Sequence, residues 1–586
     1  MPEQERAPRA RRPLARSLAL TAQTVREHLA DDPVLLALQV SRRLPRAVSE
    51  RAADVLTRAR GAGVVRAIGH EMRGEREAAL EALDADRGSA VHRADAALGL
   101  GRPDRAAALL QSVDPQERGA AWTAAAARLA AHRGDLEEAA RLAGRHRRNR
   151  HLARRMAGER DTFRGVAPRL AAESSYEPVP GRVLHMLTNS LPHTGSGYAQ
   201  RSHSILCSLR DEGFAVEAVT RPGYPVQIGV AWAAERDLVD GIAYHRLLPA
   251  RLAQGQAARL QQHAELLAAH VRRTRPALLH TTTHFTNAVA VEAVARAFGI
   301  PWVYEVRGQL ADTWAAVRGP EALESERYRL FQEREAEAAR RADGVVTLGE
   351  GMRERLLVAG VAEDAVVLCP NAVGSSFTAE PEDRDVARAR LGWTVPEGAY
   401  VVGTVSSLVD YEGLDTLLRA AALLAPRCPE LRVHIAGDGV ARPGLQALAG
   451  RLGIAHLCSF PGRVARADAR WHHAALDAFV VPRRDLPVTR SVTPMKTVEA
   501  SATGRPVVAS DLPALAELVD HGRTGLLVPA EDPAALANAL ARLAADPAER
   551  ARLGAAGRQW ALATRTWEAN ARRYRDLYDR LGVRPR

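Results

Sequence analysis

Between residues 183 and 530, short apolar runs alternate with amphipathic stretches, and this alternation constrains the fold more than any other feature of the chain. The first series is VLHMLTNS (183–190), FAVEAVT (214–220), ALLHTTT (277–283), WVYEVRG (302–308), GVVTLG (344–349) and AVVLCP (365–370). After a loop near 374–394 a second series follows: YVVGTVSS (400–407), LRVHIAG (431–437), HLCSFPG (456–462), LDAFVVP (476–482), RPVVASD (505–511) and TGLLVPA (524–530). Strand–helix–strand alternation of this kind implies a mostly parallel sheet with helices on both faces. Two successive series predict an α/β fold of two doubly wound units, 180–385 and 395–565, facing a ligand cleft. The amphipathic stretch TWEANARRYRDLYDRL (566–581) predicts a last helix, within 566–586, that crosses back to the first unit.

Upstream of Glu177-Pro178-Val179-Pro180-Gly181 the texture is different. Over residues 1–175 Ala and Leu recur at three- and four-residue spacing without β-branched runs, which predicts an all-helical domain. Three segments resemble one another: RGEREAALEAL (73–83), GRPDRAAALL (101–110) and RGDLEEAARLA (133–143). They predict tetratricopeptide-like hairpins in which a glycine (Gly74, Gly101, Gly134) ends one helix, or else an irregular bundle.

Residues 1–180 hold 32 Arg, no Lys and 24 acidic residues, so most of the net charge of +12 lies there. The arginines are interleaved with acids, no groove-reading motif accompanies them, and aromatics make up only 4% of the chain. Nucleic acid is therefore not an expected partner. The basic region is expected to be a solvated surface, a protein-partner site, or a face for an anionic membrane. No apolar run approaches the roughly 18 residues needed to span a bilayer. The N-terminus lacks a secretory pattern, and Cys207, Cys369, Cys428 and Cys458 are unpaired in spacing. A cytoplasmic location is expected, with peripheral attachment to the inner membrane face as an option.

The chemistry gathers in two places. The first predicted strand ends in the turn Gly195-Ser196-Gly197, with exposed amides at a helix start suited to an anionic or polyhydroxyl ligand. Gln200 replaces the third glycine of a dinucleotide fingerprint, and Arg221 stands where an acidic ribose ligand would be, which disfavours a nicotinamide cofactor. The second place is VVPRRDLPVTRSVTPMKTVEASATGRPVVASD (480–511). Thr493 and Pro494 predict an N-cap and first-turn proline, followed by Lys496, the only lysine in the chain. A cation there opposes the helix dipole unless an anion is also present. A diphosphate would reverse the sign, and Glu499, one turn on, can accept hydrogen bonds from a ribose diol.

From about 180 to 583 the sequence resembles the family-4 retaining glycosyltransferases, whose GT-B fold pairs two Rossmann-like domains. The resemblance is carried by YAQRSHSILCSL, WVYEVRG, VVTLGEGMRERL, VLCPNAV, IAGDG, FPGRV and above all KTVEASATGRPVVASDLPALAELVDHGRTGLLVPAEDP. It implies transfer of a sugar from a nucleotide-sugar donor to a glycan, lipid-linked or small-molecule acceptor, with retention and no cofactor; the cleft segments carry no Asp-x-Asp motif or metal-like carboxylate cluster, so no metal is expected. An epimerase on the same scaffold and a helical-repeat binding scaffold are the alternatives. Donor contacts are expected from Val492, Thr493, Lys496, Glu499, Gly462, Arg463, Val464, Arg483 and Arg484. Arg307 and Lys496 are expected at the leaving group, and His280 or His284 as the acceptor base. Two departures stand out. Ser491 replaces the first of two family glutamates, and the run from Ser406 to Gly413 lacks the Arg and Lys that many members carry there. A chain without catalysis is the reading those departures leave open.

Overall fold

The computed structural model describes residues 11–31, 46–59 and 62–585. These fall into two compact units, one of the described residues up to 305 with 317–343 and 583–585, the other of 306–316 and 344–582.

Among the described residues the first unit opens with helices, from Arg11–Asp31 to Arg150–Phe163. The repeated segments form three helical hairpins, Gly63–Met72 with Arg76–Asp84, Ala90–Gly99 with Pro103–Gln111, and Ala120–Arg133 with Leu136–Gly144. Gly74, Gly101 and Gly134 turn the chain between the paired helices with φ of 78°, 73° and 87°, where a Cβ would be strained. The hairpins pack through small alanines, with Ala67, Ala96, Ala127 and Ala143 fully buried.

The same unit holds strands β1 (Val179–Leu187), β2 (Ala215–Thr220), β3 (Arg236–Val239), β4 (Ile242–Arg246), β5 (Pro276–Thr282) and β6 (Trp302–Val306). Their order is β3-β4-β2-β1-β5-β6, parallel except for the edge strand β3. The helices dock closely on this sheet's own layer. Phe163, at the end of the last helix of the helical region, meets Phe285 and Phe331 edge-on, each ring centroid 5.3 Å away. Glu326 caps the Leu136–Gly144 helix, accepting from the amides of Leu136 and Glu137 at 3.0 Å, and Arg164 donates to its other oxygen at 2.7 Å. The Tyr176 hydroxyl donates to the Pro276 carbonyl at 2.7 Å, just ahead of the Pro-Gly linker.

The second unit contains the parallel pair β7 (Gly344–Thr347) and β8 (Val366–Leu368). It also holds the six-stranded parallel sheet of β9 (Tyr400–Val405), β10 (Leu431–Ala436), β11 (Cys458–Gly462), β12 (Ala478–Val481), β13 (Val507–Ser510) and β14 (Gly525–Val528). The order is β11-β10-β9-β12-β13-β14, a doubly wound arrangement. Alternate residues feed two cores, as strand geometry requires. Val402, Val433 and Val480 join Leu417 and Leu540 on one face, while Val401, Phe479 and Val507 join Val498 and Leu515 on the other. The last helix, Trp567–Arg580, lies along the β7–β8 segment: the Asn570 amide donates to the Pro370 carbonyl at 2.7 Å. The α/β class and the preceding helices are those the sequence predicts, but the division differs from 1–175, 180–385 and 395–565: the helices share a unit with β1 to β6, while β7 and β8 group with the second sheet. No helix among the described residues is long and apolar enough to cross a membrane.

Candidate active site

Lys496 lies in the first turn of the helix Met495–Ala502, as its sequence position predicts, but the cap differs. Pro494 is the N-cap residue, with φ −86° and ψ 138°, and no side chain caps the helix. Thr493 precedes a proline, which biases it to extended backbone, and its carbonyl accepts from Asn371 Nδ2 at 2.8 Å. The helix therefore starts one residue later than expected, leaving its first amides without a side-chain partner.

The Lys496 ammonium does not stand alone. It donates to Ser406 Oγ at 2.7 Å and pairs with the Glu412 carboxylate. Arg483 grips the same carboxylate from the other side, Nη2 to Oε1 at 3.0 Å and Nε to Oε2 at 3.2 Å, and its Nη1 donates to the Val492 carbonyl at 2.7 Å. Backbone packing explains this register. Gly413 has φ 64°, and a Cβ on it would meet the Pro482 carbonyl oxygen at 1.9 Å, so only glycine lets the 410–413 turn lie against the end of β12. The Arg484 amide then donates to the Tyr411 carbonyl at 3.1 Å and locks the two segments together.

The electrostatics follow from burial and charge. Desolvation lowers the Lys496 pKa to about 8, with Arg483 pushing the same way and Glu412 opposing. Glu412 is desolvated too, but its two cations hold it down to about 2. The cluster therefore carries two positive charges and one negative at neutral pH. Sequence reading treats Glu412 only as a missing cation. Glu412 lies between the buried Leu408 and Leu414, where an unpaired acid would be costly, and this burial, which the structure supplies, accounts for its two cationic partners.

Glu499 is half-buried, with His473 Nε2 3.6 Å from its Oε2. Gly462 ends β11 with its carbonyl on the Gly437 amide at 2.8 Å, Arg463 after it is exposed, and Val464 is half-buried. Arg484 turns away from the Glu412 carboxylate, donating to the Asp410 carbonyl and to Asp415. Arg307 is buried directly after β6.

In the first unit the predicted residues divide. Gly195 and Gly197 form an exposed turn, and Ser196 spends its hydroxyl oxygen capping the helix Gly197–Asp211 through the Ala199 amide at 3.4 Å. His280 has no solvent access: its Nε2 is 3.3 Å from Glu305 Oε2, and its ring stacks on His185 at 4.4 Å. His284 caps the helix Phe285–Phe298, with Nδ1 accepting from the Thr286 amide at 3.2 Å. Desolvation lowers its pKa to about 4, so its ring is neutral, with the proton on Nε2 and the lone pair committed to the cap.

Among the described residues one cluster has metal-ligand composition: Glu217, His245 and His270, on β2, β4 and the helix Gln256–Thr274. Arg273 donates to His270 Nδ1 at 2.7 Å, which fixes the proton on Nε2 and leaves that nitrogen without a lone pair for a cation. A cavity of about 580 Å³, lined by Pro103, Asp104, His132, Arg133 and Arg318 among others, contains none of the predicted site residues.

Two family profiles match the chain: one described as Glycosyl transferase 4-like domain, over residues 196–372, and one described as Glycosyl transferases group 1, over 399–546. A D-inositol 3-phosphate glycosyltransferase of Thermomonospora curvata is 33% identical over 318 residues, which cover 51% of this chain and 70% of that protein. The chain belongs to the family-4 glycosyltransferases of the GT-B fold. A GDP-mannose-dependent α-(1-6)-phosphatidylinositol monomannoside mannosyltransferase of Mycolicibacterium smegmatis is 34% identical over 239 residues, 40% of this chain and 62% of that one. The match therefore spans less than two thirds of that relative. Sucrose-phosphate synthase of Thermosynechococcus elongatus has a TM-score of 0.58 at 22% identity, covering 68% of this family-4 chain and 99% of that one. Anabaena HepE, solved with UDP, has a TM-score of 0.53 at 18% identity, over 68% and 100%. At these identities the likeness is one of fold. The helical region before residue 196 lies outside both profiles.

Proposed function

We propose that this protein transfers a sugar from a nucleoside-diphosphate sugar to a glycan, lipid-linked or small-molecule acceptor, retaining the anomeric configuration and without a metal or cofactor. The observation that carries this reading is the Lys496–Glu412–Arg483 cluster at a helix start that no side chain caps. Cleaving the bond from sugar to diphosphate builds negative charge on the leaving phosphate. Fixed cations and helix amides stabilise that charge most when they are arranged before the reaction. Glu499, one turn along, would accept from the ribose hydroxyls. His280 is sealed and His284 has its lone pair engaged, so in this reading the departing phosphate oxygen takes the acceptor's proton on the shared face.

The relatives' names give the reading its donor and acceptor range, a GDP-sugar with a phosphatidylinositol mannoside, or an inositol phosphate. A thermal-shift panel of UDP, GDP and ADP sugars tests it. The matched donor at 100 times its Kd should add about 2.7 kcal/mol of stability. A flat response to every member of the panel would sink the donor assignment.

A further inference from the structure

The buried carboxylate beside Lys496 needs a reason, because alone it would repel a diphosphate. We propose that Glu412 is a positioning residue that fixes the Lys496 ammonium and the Arg483 guanidinium side by side for the donor's diphosphate. The proposal rests on the donor-site reading above and deepens it. Glu412 sits on a turn pinned to the end of β12 by the Gly413 close approach and the Arg484–Tyr411 hydrogen bond. Its two oxygens accept from both cations, while Ser406 and the Val492 carbonyl take one further donor each, so both cations keep N–H groups for a ligand. Each cation thus has its direction set by the same carboxylate.

Charge state gives the second support. The groups facing Lys496 are Glu412 from the turn, Arg483 from the loop after β12 and the uncharged Ser406 after β9; Glu499, one turn along the same helix, lies beside His473. Burial and Arg483 both act against the ammonium, and Glu412 is the group that favours it. Without that carboxylate Lys496 would lose its proton at lower pH, and a neutral amine offers a leaving phosphate little.

Lys496 being the only lysine makes the test direct. Full-length protein labelled at lysine with ¹³C gives one side-chain signal for this residue, whose shift follows its protonation. Wild type is expected to titrate near pH 8. Glu412→Gln should move the midpoint down by at least one pH unit, and Glu412→Asp should restore most of it. The affinity for the best of UDP, GDP and ADP, measured by calorimetry from pH 6.5 to 9, should fall about tenfold per pH unit above each variant's own midpoint. An unchanged midpoint in Glu412→Gln, or tighter nucleotide binding by it at every pH, overturns the proposal and makes Glu412 a mere repulsive charge. If Glu412→Gln does not fold, the Glu412→Asp midpoint decides, since a longer reach to the ammonium should still lower it measurably. A signal that no nucleotide perturbs, with the Glu412 effect intact, instead rejects the donor-site reading.

Discussion

Each α/β unit buries a carboxylate between two nitrogen cations or potential cations near the ends of its strands, and the two clusters differ in access. In the first unit Glu305 lies with Arg201 and His280, whose side chains are 0%, 3% and 0% exposed. In the second, Glu412 lies with Lys496 and Arg483, at 7%, 10% and 8%. The composition is nearly the same, but one cluster is sealed and the other reaches solvent at the start of an uncapped helix. Arg201, on the helix Gly197–Asp211, donates to Glu305 at 2.8 Å. Lys496 keeps only about a tenth of its side chain exposed, but it stands in the first turn of a helix that no side chain caps.

The sharpest way to break this comparison is to remove one cation from each cluster. Arg201→Ala takes the guanidinium from a carboxylate that water cannot reach, which costs about 3–5 kcal/mol in folding free energy. Urea unfolding of the variant should show that loss, and a change under about 1 kcal/mol would mean that the sealed cluster is not structural. Lys496→Ala should act on turnover instead, by about 10²–10³ in rate, the loss typical for one leaving-group or oxyanion contact. Its stability should change less than that of Arg201→Ala, because Arg483 still holds both oxygens of Glu412. Release of nucleoside diphosphate from the matched donor is the measurement, and near-normal release would take Lys496 out of the mechanism.

What the sequence revealed and concealed divides along physical lines. Strands β1, β2 and β5 to β14 were legible as short apolar runs, whereas the edge pair β3 and β4, RDLV and IAYHR, was not, because charged and polar residues interrupt it. Gly74, Gly101 and Gly134 marked the helical hairpins because a positive φ leaves glycine little competition. Lys496 was legible because a cation at a helix start is locally unfavourable and so asks for a partner. The partner itself was not. Glu412 is 84 residues away in sequence, and its meaning depends on Gly413 lying against Pro482. The same non-locality hid the docking of the helical region: nothing near Phe163 in sequence announces that Phe285 and Phe331 will close around it. Strand-end position points to His280 and His284, but it does not disclose that one is sealed and the other caps a helix.

The smallest expected effect concerns Glu499, which shares the open cluster's helix without belonging to its charge network. A carboxylate facing two vicinal hydroxyls makes the same contact before and during sugar transfer, so its loss should weaken binding without slowing the bound complex. Glu499→Gln keeps one acceptor oxygen and gives up the charge, a loss of about 1–2 kcal/mol, or roughly tenfold in Kd. The Kd for the matched nucleoside diphosphate and the KM of its sugar should therefore rise together while kcat stays constant. The same nucleotide lacking its 2′-hydroxyl adds a control, because its affinity should differ less between wild type and variant. Its lower starting affinity in the wild type would come from the hydroxyl that Glu499 no longer receives. Equal affinity of wild type and Glu499→Gln for the intact nucleotide would assign the carboxylate to His473, 3.6 Å away, and leave the ribose to other groups.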